Sequence, residues 1–341
     1  MKKVIVTGSQ GFIGSYLCTQ LLNKGYIVIG IDNFSKYGKV ERPHDLHENF
    51  VLLEMDVCDI DSSEVYYNRY LKDANYIIAG AAMIGGISYF HKYAYDLLAT
   101  NERIMAATFD LAIKLYQEEC LEKIVVISSS MVFENTSKYP TPEEEVKVCP
   151  PPFSTYGFQK LSTEYFCYGA NEQYGLPYTI IRPFNCVGIG EGEAVGEEEV
   201  IVGNIKMLLS HVLPDLIYKS LKLSPDDELP ILGNGKQVRH YTNGIDIANG
   251  IILAMESPLA KNNDFNISSP VPTTVEELAE IVWKKIHGTK LKLLHCDPYE
   301  YDVQIRSPDV NKAKTILGFE ANIPLEDSVE QVIEWMEKQY G

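Results

Sequence analysis

The sequence predicts an α/β protein: a doubly wound parallel sheet with a smaller mixed α/β lobe for substrate. Three observations carry this. Short β-branched runs alternate with helical patterns through the first half of the chain, the mark of right-handed strand–helix–strand crossovers. Those runs are apolar throughout instead of alternating with polar residues, as expected of strands covered on both faces. A glycine-rich turn joins the first run to the first helical stretch, where a backbone must reverse tightly.

In chain order the strands are "KVIVT" from Lys3, "YIVIGID" from Tyr26, "FVLLEMD" from Phe50, "YIIAG" from Tyr76, "KIVVISS" from Lys123 and "YTIIRPF" from Tyr178. An amphipathic stretch reaches Lys24, a long helix-like segment follows Ser88, and another runs from about Ser154 to Tyr174. After Asn185 the pattern loosens into the acidic "GIGEGEAVGEEEV", a helix-like run to about Lys219 and the polar insert "KLSPDDELP". Long irregular segments on such a scaffold usually carry specificity. "TNGIDIANGIILAME" and "DFNIS" read as a helix and a strand that return to the main sheet, and helices near 273–287 and 325–339 complete the smaller lobe. The expected division is 1–184, with returning segments near 240–270, against 185–239 and 271–341.

At 341 residues and 45% hydrophobic the chain can bury a large core. A net charge of −17 repels phosphate backbones and anionic lipid, which argues against nucleic acid and membrane partners. The seven cysteines are odd in number and form no CxxC pair; they read as reduced thiols, with no disulfide framework and no metal site. Only the four residues "VIVT" separate Lys3 from Gly8, too few for a secretion signal, so a cytoplasmic protein is expected.

The chemistry-bearing motifs begin with "TGSQGFIG", which spaces Gly8, Gly11 and Gly14 as GxxGxxG between strand and helix. Glycines there let the backbone approach a pyrophosphate whose charge meets the helix N-terminus; alone, the spacing also suits a plain turn. Asp32 ends the second strand, where a carboxylate accepts both ribose hydroxyls of NAD and repels the 2′-phosphate of NADP. Asp56 ends the third strand and suits either an adenine contact or a helix cap. Tyr156 and Lys160 stand four apart on one helix face. An ammonium beside a phenol favours phenolate and makes a general base for a sugar hydroxyl; the same spacing occurs in any amphipathic helix. The strand-end hydroxyls of "SSSMVF", from Ser128, are placed to bond the same substrate oxygen.

With "TGSQGFIG", Asp32, Asp56, "SSSMVF", "YGFQK", "RPFN" and "GNGKQVRHYTNGID" together, the chain resembles the NAD-dependent nucleotide-sugar epimerase/dehydratase family of extended short-chain dehydrogenases/reductases, over nearly its whole length. The resemblance implies a Rossmann-type domain and a nucleotide-sugar substrate. It implies Ser129 as the catalytic hydroxyl, with Phe133 standing for the family's aromatic, Tyr156 as base, and Lys160 tuning it while holding the nicotinamide ribose. Phe12, Ile13, Asn33, Val57, Gly80, Ala81 and Asn101 are then expected along the cofactor, and Met83, Ser130, Met131, Asn185, Arg239 and Arg306 along the substrate. Asn185 and Arg239 match the positions that meet the diphosphate, Arg239 bidentately. His240 departs from the usual aspartate. "GAAMIGGI" resembles a stretch of GDP-fucose synthase-like and GDP-mannose-epimerase-like proteins, and "DVQIRSPDVNKAK", with Arg306, resembles the arginine motif of UDP-glucuronate decarboxylases. A homodimer through the helices near 90–118 and 154–174 is the family expectation.

Met131 separates the chemistries within that family. Dehydratase-like relatives carry an acidic pair in the two positions after the catalytic hydroxyl, where this chain has Ser130 and Met131. Relatives that epimerise at C3 and C5 place a cysteine at the second position, and a thioether has no proton to give. Decarboxylases place a glutamate there. Reversible oxidation at C4, as in UDP-glucose 4-epimerase-like proteins, needs only the hydroxyl, tyrosine and lysine. A net dehydrogenase or 4-keto reductase and a UDP-glucuronate decarboxylase are the rival enzymes; a catalytically silent NAD sensor is the rival of another class. Glu191, Glu193 and the run Glu197, Glu198, Glu199 read as a solvated charged loop. Cys186, His211 and His240 read as packing or surface residues, since nothing in the sequence brings them together.

Overall fold

The computed structural model describes residues 1–62, 64–85, 92–192, 200–202, 205–207, 211–298 and 303–340. Seven parallel strands form the central sheet: β1 (Lys3–Thr7), β2 (Ile27–Asp32), β3 (Phe50–Glu54), β4 (Tyr76–Ala79), β5 (Lys123–Ile127), β6 (Tyr178–Pro183) and β7 (Asn263–Ile267). Their spatial order is β7-β6-β5-β4-β1-β2-β3. The order reverses on either side of β1, which opens a crevice beyond the carboxyl ends of the strands, the usual ligand position in such sheets. Around it lie α1 (Phe12–Asn23), α2 (Ala94–Gln117), α3 (Thr155–Tyr174), α4 (Val212–Lys222), α5 (Gly244–Glu256), α6 (Val275–His287) and α7 (Leu325–Tyr340).

Alternation along β1 divides the core in two. Val4 and Val6 meet Leu17 and Leu21 of α1 and Ile247 and Ile251 of α5, while Ile5 points the other way to Phe109 and Leu115 of α2 and Cys167 of α3. Each such aliphatic side chain, once fully buried, contributes about 1.5–3 kcal/mol, so burial on both faces outweighs any single loop contact in fixing the sheet. The returning segments behave as expected: β7 pairs with β6 and α5 packs on the α1 face. A third apolar cluster joins Leu216 of α4, Val282 and Trp283 of α6, Val332 and Met336 of α7 and the short strand Leu229–Leu232. On these clusters we propose 185–239 with 271–341 as the smaller lobe.

Capping sets where the site-bearing helices begin. Ser154 accepts a hydrogen bond from the Gly157 N–H at the start of α3, and Gly175, at φ 73°, ends it. One expectation fails: the helix-like run toward Lys219 opens instead with an antiparallel pair, Val200–Val202 on Ile205–Met207, before α4 starts at Val212. The β-branched "VIV" favours a strand there. No described helix is long and apolar enough to cross a membrane.

Candidate active site

The turn between β1 and α1 lies at the point where the strand order reverses. Gly8 has φ +74°, and a Cβ there would sit 2.9 Å from the backbone of Ala81; at Gly14 one would sit 2.0 Å from the Gly8 carbonyl oxygen. The glycines are thus required by close packing of the loop against its own helix and against the chain after β4. Gly11 caps α1 without a side chain, and no carboxylate occupies the first turn. The leading N–H groups and the positive end of the helix dipole are left for an anion.

Beside this turn, Asp32 accepts hydrogen bonds from the Gln10 N–H (2.9 Å) and the Phe34 N–H (2.8 Å), one on each oxygen. Each oxygen retains a second lone pair for a ribose hydroxyl. The Asn33 amide donates to Asp56 at 2.8 Å and the Cys58 N–H donates to its other oxygen at 2.9 Å. Burial pushes the Asp56 carboxyl up, but these bonds hold it below its ordinary range. Both readings of Asp56 therefore meet in one side chain, which caps the turn at Val57–Ser62 and lines the cleft. Phe12, Ile13, Val57, Gly80 and Ala81 line the same cleft, whose volume is about 640 Å³. The residues present fit a dinucleotide, with the pyrophosphate over α1 and the adenosine ribose at Asp32. The Asn101 side chain clasps the Met83 backbone, accepting from the N–H at 2.7 Å and donating to the carbonyl at 2.9 Å, and so ties α2 to the loop after β4, which lines the cleft at Met83.

Tyr156 and Lys160 project from α3 toward the end of β5, where Ser129 stands in extended backbone. The Ser129 hydroxyl accepts from the Met131 N–H at 3.2 Å and hydrogen-bonds with the Tyr156 phenol. Lys160 donates to the Ile127 carbonyl at 3.0 Å and lies 6.0 Å from the centre of the Tyr156 ring. Burial raises the Tyr156 phenol, with Ser129 and the charge of Arg306 pulling it back, and burial pushes Lys160 down to about 8. In the chain by itself, desolvation is the leading influence on both groups. Met131 packs with Tyr156, Leu97, Met83 and Ile84, and Ser130 is buried beside it.

The opposite wall carries the cationic groups. Arg239 and Arg306 both line the cleft; the Val238 carbonyl accepts from the Arg239 guanidinium at 2.9 Å and from the Arg306 N–H at 3.1 Å, which holds the two segments together. Asn185, at φ +36°, has a buried amide nitrogen with no hydrogen-bond partner among the described residues, a donor that a ligand oxygen would satisfy. His240 is buried between the Ser269 carbonyl and the Ser307 hydroxyl, at 2.9 and 3.1 Å, so it packs as expected. Glu191 does not belong to a solvated loop: it is 1% exposed, pairs with His211, and lines the cleft with it and Cys186. Burial pushes the Glu191 carboxyl up, but His211 and Lys36 hold it low. Glu193 and Glu197 to Glu199 lie outside the described residues.

Sequence reasoning missed Glu164. It is fully buried, accepts from the Ser128 hydroxyl at 2.7 Å, and takes Arg182 bidentately at 2.8 Å on each oxygen. The signal was present, because Tyr156, Lys160 and Glu164 recur every fourth residue on one face of α3.

Comparison with known proteins agrees with this geometry. The family model described as the NAD dependent epimerase/dehydratase family matches residues 4–268. Relatives include UDP-glucuronic acid decarboxylase 1 of Xenopus tropicalis, 26% identical over 99% of this chain and 73% of its own length. UDP-glucuronate 4-epimerase of Thermodesulfobacterium geofontis is 25% identical over 97% of this chain and 95% of that one. Among solved structures, UDP-glucose 4-epimerase of Thermotoga maritima with UDP-glucose superposes with a TM-score of 0.83 at 28% identity, covering 99% of this chain and 100% of that one. With its glycine turn, Asp32 and the Ser129–Tyr156–Lys160 set around one cleft, the chain belongs to the NAD dependent epimerase/dehydratase family, with NAD as its cofactor.

Proposed function

We propose that the protein is a 4-epimerase of nucleotide sugars, UDP-hexoses first, acting through transient oxidation at C4. The observation that carries this is the company of Tyr156: a serine hydroxyl, a lysine and the thioether of Met131. A thioether supplies neither the acid needed to expel water nor the thiol needed at C3 or C5. Bound NAD supplies the acceptor and donor of hydride at C4. Tyr156 takes the proton of the 4-hydroxyl as the C–H electron pair leaves, and returns it when hydride re-enters on the other face, so no net oxidation occurs. Ser129 holds the same oxygen, and Lys160 keeps a positive charge behind the phenol. Arg239 and Arg306 hold the diphosphate, with the Asn185 amide as a further donor. The apolar wall of Met83, Ile84 and Met131 makes no directional bond to a ring that must turn over.

Incubation with UDP-, GDP-, dTDP- and CDP-sugars in deuterated water, followed by NMR, is expected to yield a C4 epimer whose carbon-bound hydrogens come from substrate. Solvent deuterium at C3 or C5, or NADH accumulating with product, would sink the reading. A second reading has one observation in its favour: Arg306 lies near enough to lower the Tyr156 phenol, and a guanidinium there suits a uronate carboxylate. The decarboxylase relative supports it too. Carbon dioxide released from UDP-glucuronate would decide for that reaction.

The proposal extends to assembly as a homodimer through α2 and α3. Their outer groove is lined by Phe109, Ile113, Tyr165 and Tyr174, with Tyr165 65% exposed, an aromatic surface that is unfavourable in water. Light scattering is expected to give twice the chain mass; a single chain mass at micromolar concentration rules this assembly out.

A further inference from the structure

The wall that α4 contributes to the cleft has a feature that chemistry at Tyr156 does not require. Leu216, Ile231 and Leu232 make most of it apolar, yet Asp215 and Lys219 line it as well. Their side chains are 11% and 2% exposed, and the Lys219 ammonium donates to Asp215 Oδ2 at 2.6 Å. The same ammonium reaches the Pro230 carbonyl at 3.4 Å, which fixes it to the strand Leu229–Leu232. Pairs at i,i+4 are common on helix surfaces, where water solvates both charges. This one is turned inward, where desolvation opposes it and where an apolar pair of similar volume would pack as well. A buried donor and acceptor held side by side in a ligand cleft can match polar groups of the ligand.

We propose that Asp215 and Lys219 read the hydrogen-bonding edge of the substrate's nucleobase and select a lactam edge, an exocyclic carbonyl beside a ring N–H, as in uracil, thymine or guanine. This rests on the nucleotide-sugar reading above. Lys219 offers only donors and Asp215 only acceptors, and the ammonium is recessed deeper than the carboxylate. On a lactam the carbonyl oxygen projects beyond the ring and reaches the deeper ammonium, while the recessed ring N–H meets the shallower carboxylate. On adenine, and on the C4 side of cytosine, the projecting group is an amine, which opposes Lys219 donor to donor; the C2 carbonyl of cytosine can reach Lys219 only by setting the acceptor ring nitrogen against Asp215. Turning such a base over leaves its acceptor ring nitrogen short of the recessed ammonium. A mismatch that leaves a buried charge without its hydrogen bond is the strongest basis for rejection. Leu216, Ile231 and Leu232 offer apolar surface to the faces of the base.

Calorimetric titration of the NAD-loaded protein with UDP and with CDP tests this, because the two share ribose and phosphates and differ only at the edge in question. UDP is expected to bind about tenfold or more tightly than CDP, and Asp215→Asn to remove most of that ratio. Since the single change leaves Lys219 without its counter-charge, the paired variant Asp215→Leu, Lys219→Met serves as the second probe. Replacing both charges by apolar groups preserves folding, and this variant is expected to bind UDP and CDP about equally. A wild-type ratio near one, a preference for CDP, or a ratio unchanged in the folded paired variant overturns the proposal while leaving the nucleotide reading intact. Failure of UDP, CDP, GDP and dTDP alike to bind overturns the nucleotide reading and the pair's role with it.

Discussion

Tyr156→Phe is expected to lower kcat by about 10²–10⁴-fold, the range that a positioned acid–base group supplies, while NAD binding and thermal stability stay near wild type. The phenol oxygen is the atom that hydrogen-bonds with Ser129, so the variant removes the proton acceptor together with that bond. The ring keeps its packing against Met131 and Leu97, which is why the fold tolerates the change. Ser129→Ala is expected to lose less, because the serine holds the substrate oxygen without taking its proton. A pH profile adds an independent readout. Burial holds Tyr156 above its ordinary range and pushes Lys160 down to about 8. Below that value the ammonium is charged and supports the phenolate; kcat is expected to rise with pH from 6 toward 8 and to level off above it, where loss of the Lys160 proton offsets the gain in phenolate. Turnover by Tyr156→Phe within threefold of wild type would remove the tyrosine from the reaction, and an unchanged biological role would favour a sensing protein.

Strand order and site chemistry were legible to different degrees because they rest on different ranges of contact. The apolar runs at Val4–Val6 and Ile124–Val126 announce a sheet buried on both faces, and the structure buries each of these residues completely. The glycine turn was legible because part of its steric demand is local: Gly14 meets the Gly8 and Ser9 backbone a few residues away, while the contact of Gly8 with the chain after β4 comes from the fold. Long-range pairing was not. Glu191 and His211 stand twenty positions apart in sequence, and a glutamate in an acidic stretch reads as solvated until the fold buries it against a histidine. Asn101 makes a contact of the same kind. A motif position supplied the residue, but the side chain is committed to the Met83 backbone, which no spacing rule specifies. Burial of both Tyr156 and Lys160, which raises the phenol and lowers the ammonium, likewise comes from the fold and is not carried by a four-residue spacing.

Glu164→Gln is expected to destabilise the protein by about 3–5 kcal/mol, the range for breaking a buried ion pair from one side. Glu164 and Arg182 are both fully buried, and the guanidinium also meets Asp264 at 2.8 Å, which in turn holds Lys312 at 2.6 Å. The chain of charges ties α3 to β6, β7 and the segment carrying Lys312. Arg182 stacks over the Phe133 ring at 5.1 Å, and Ser128 donates to Glu164 at 2.7 Å. The network therefore grips the "SSSMVF" segment on both sides of Ser129. Glutamine keeps the shape and one acceptor oxygen but turns the other into a donor aimed at the guanidinium, leaving Asp264 as the remaining charged partner of Arg182. Urea unfolding measures the loss. Glu164→Leu with Arg182→Met is expected to be less destabilising than either single change, because replacing both charges removes the uncompensated one. A loss under about 1 kcal/mol in Glu164→Gln would show that the pair behaves as a solvated one. The functional consequence follows from the same network: with the buried counter-charge of Arg182 reduced, the segment that carries Ser129 is held less firmly against Tyr156. At temperatures where Glu164→Gln remains folded, kcat is expected to fall while NAD affinity holds, since the glycine turn and Asp32, to which we assign the dinucleotide, lie outside this network.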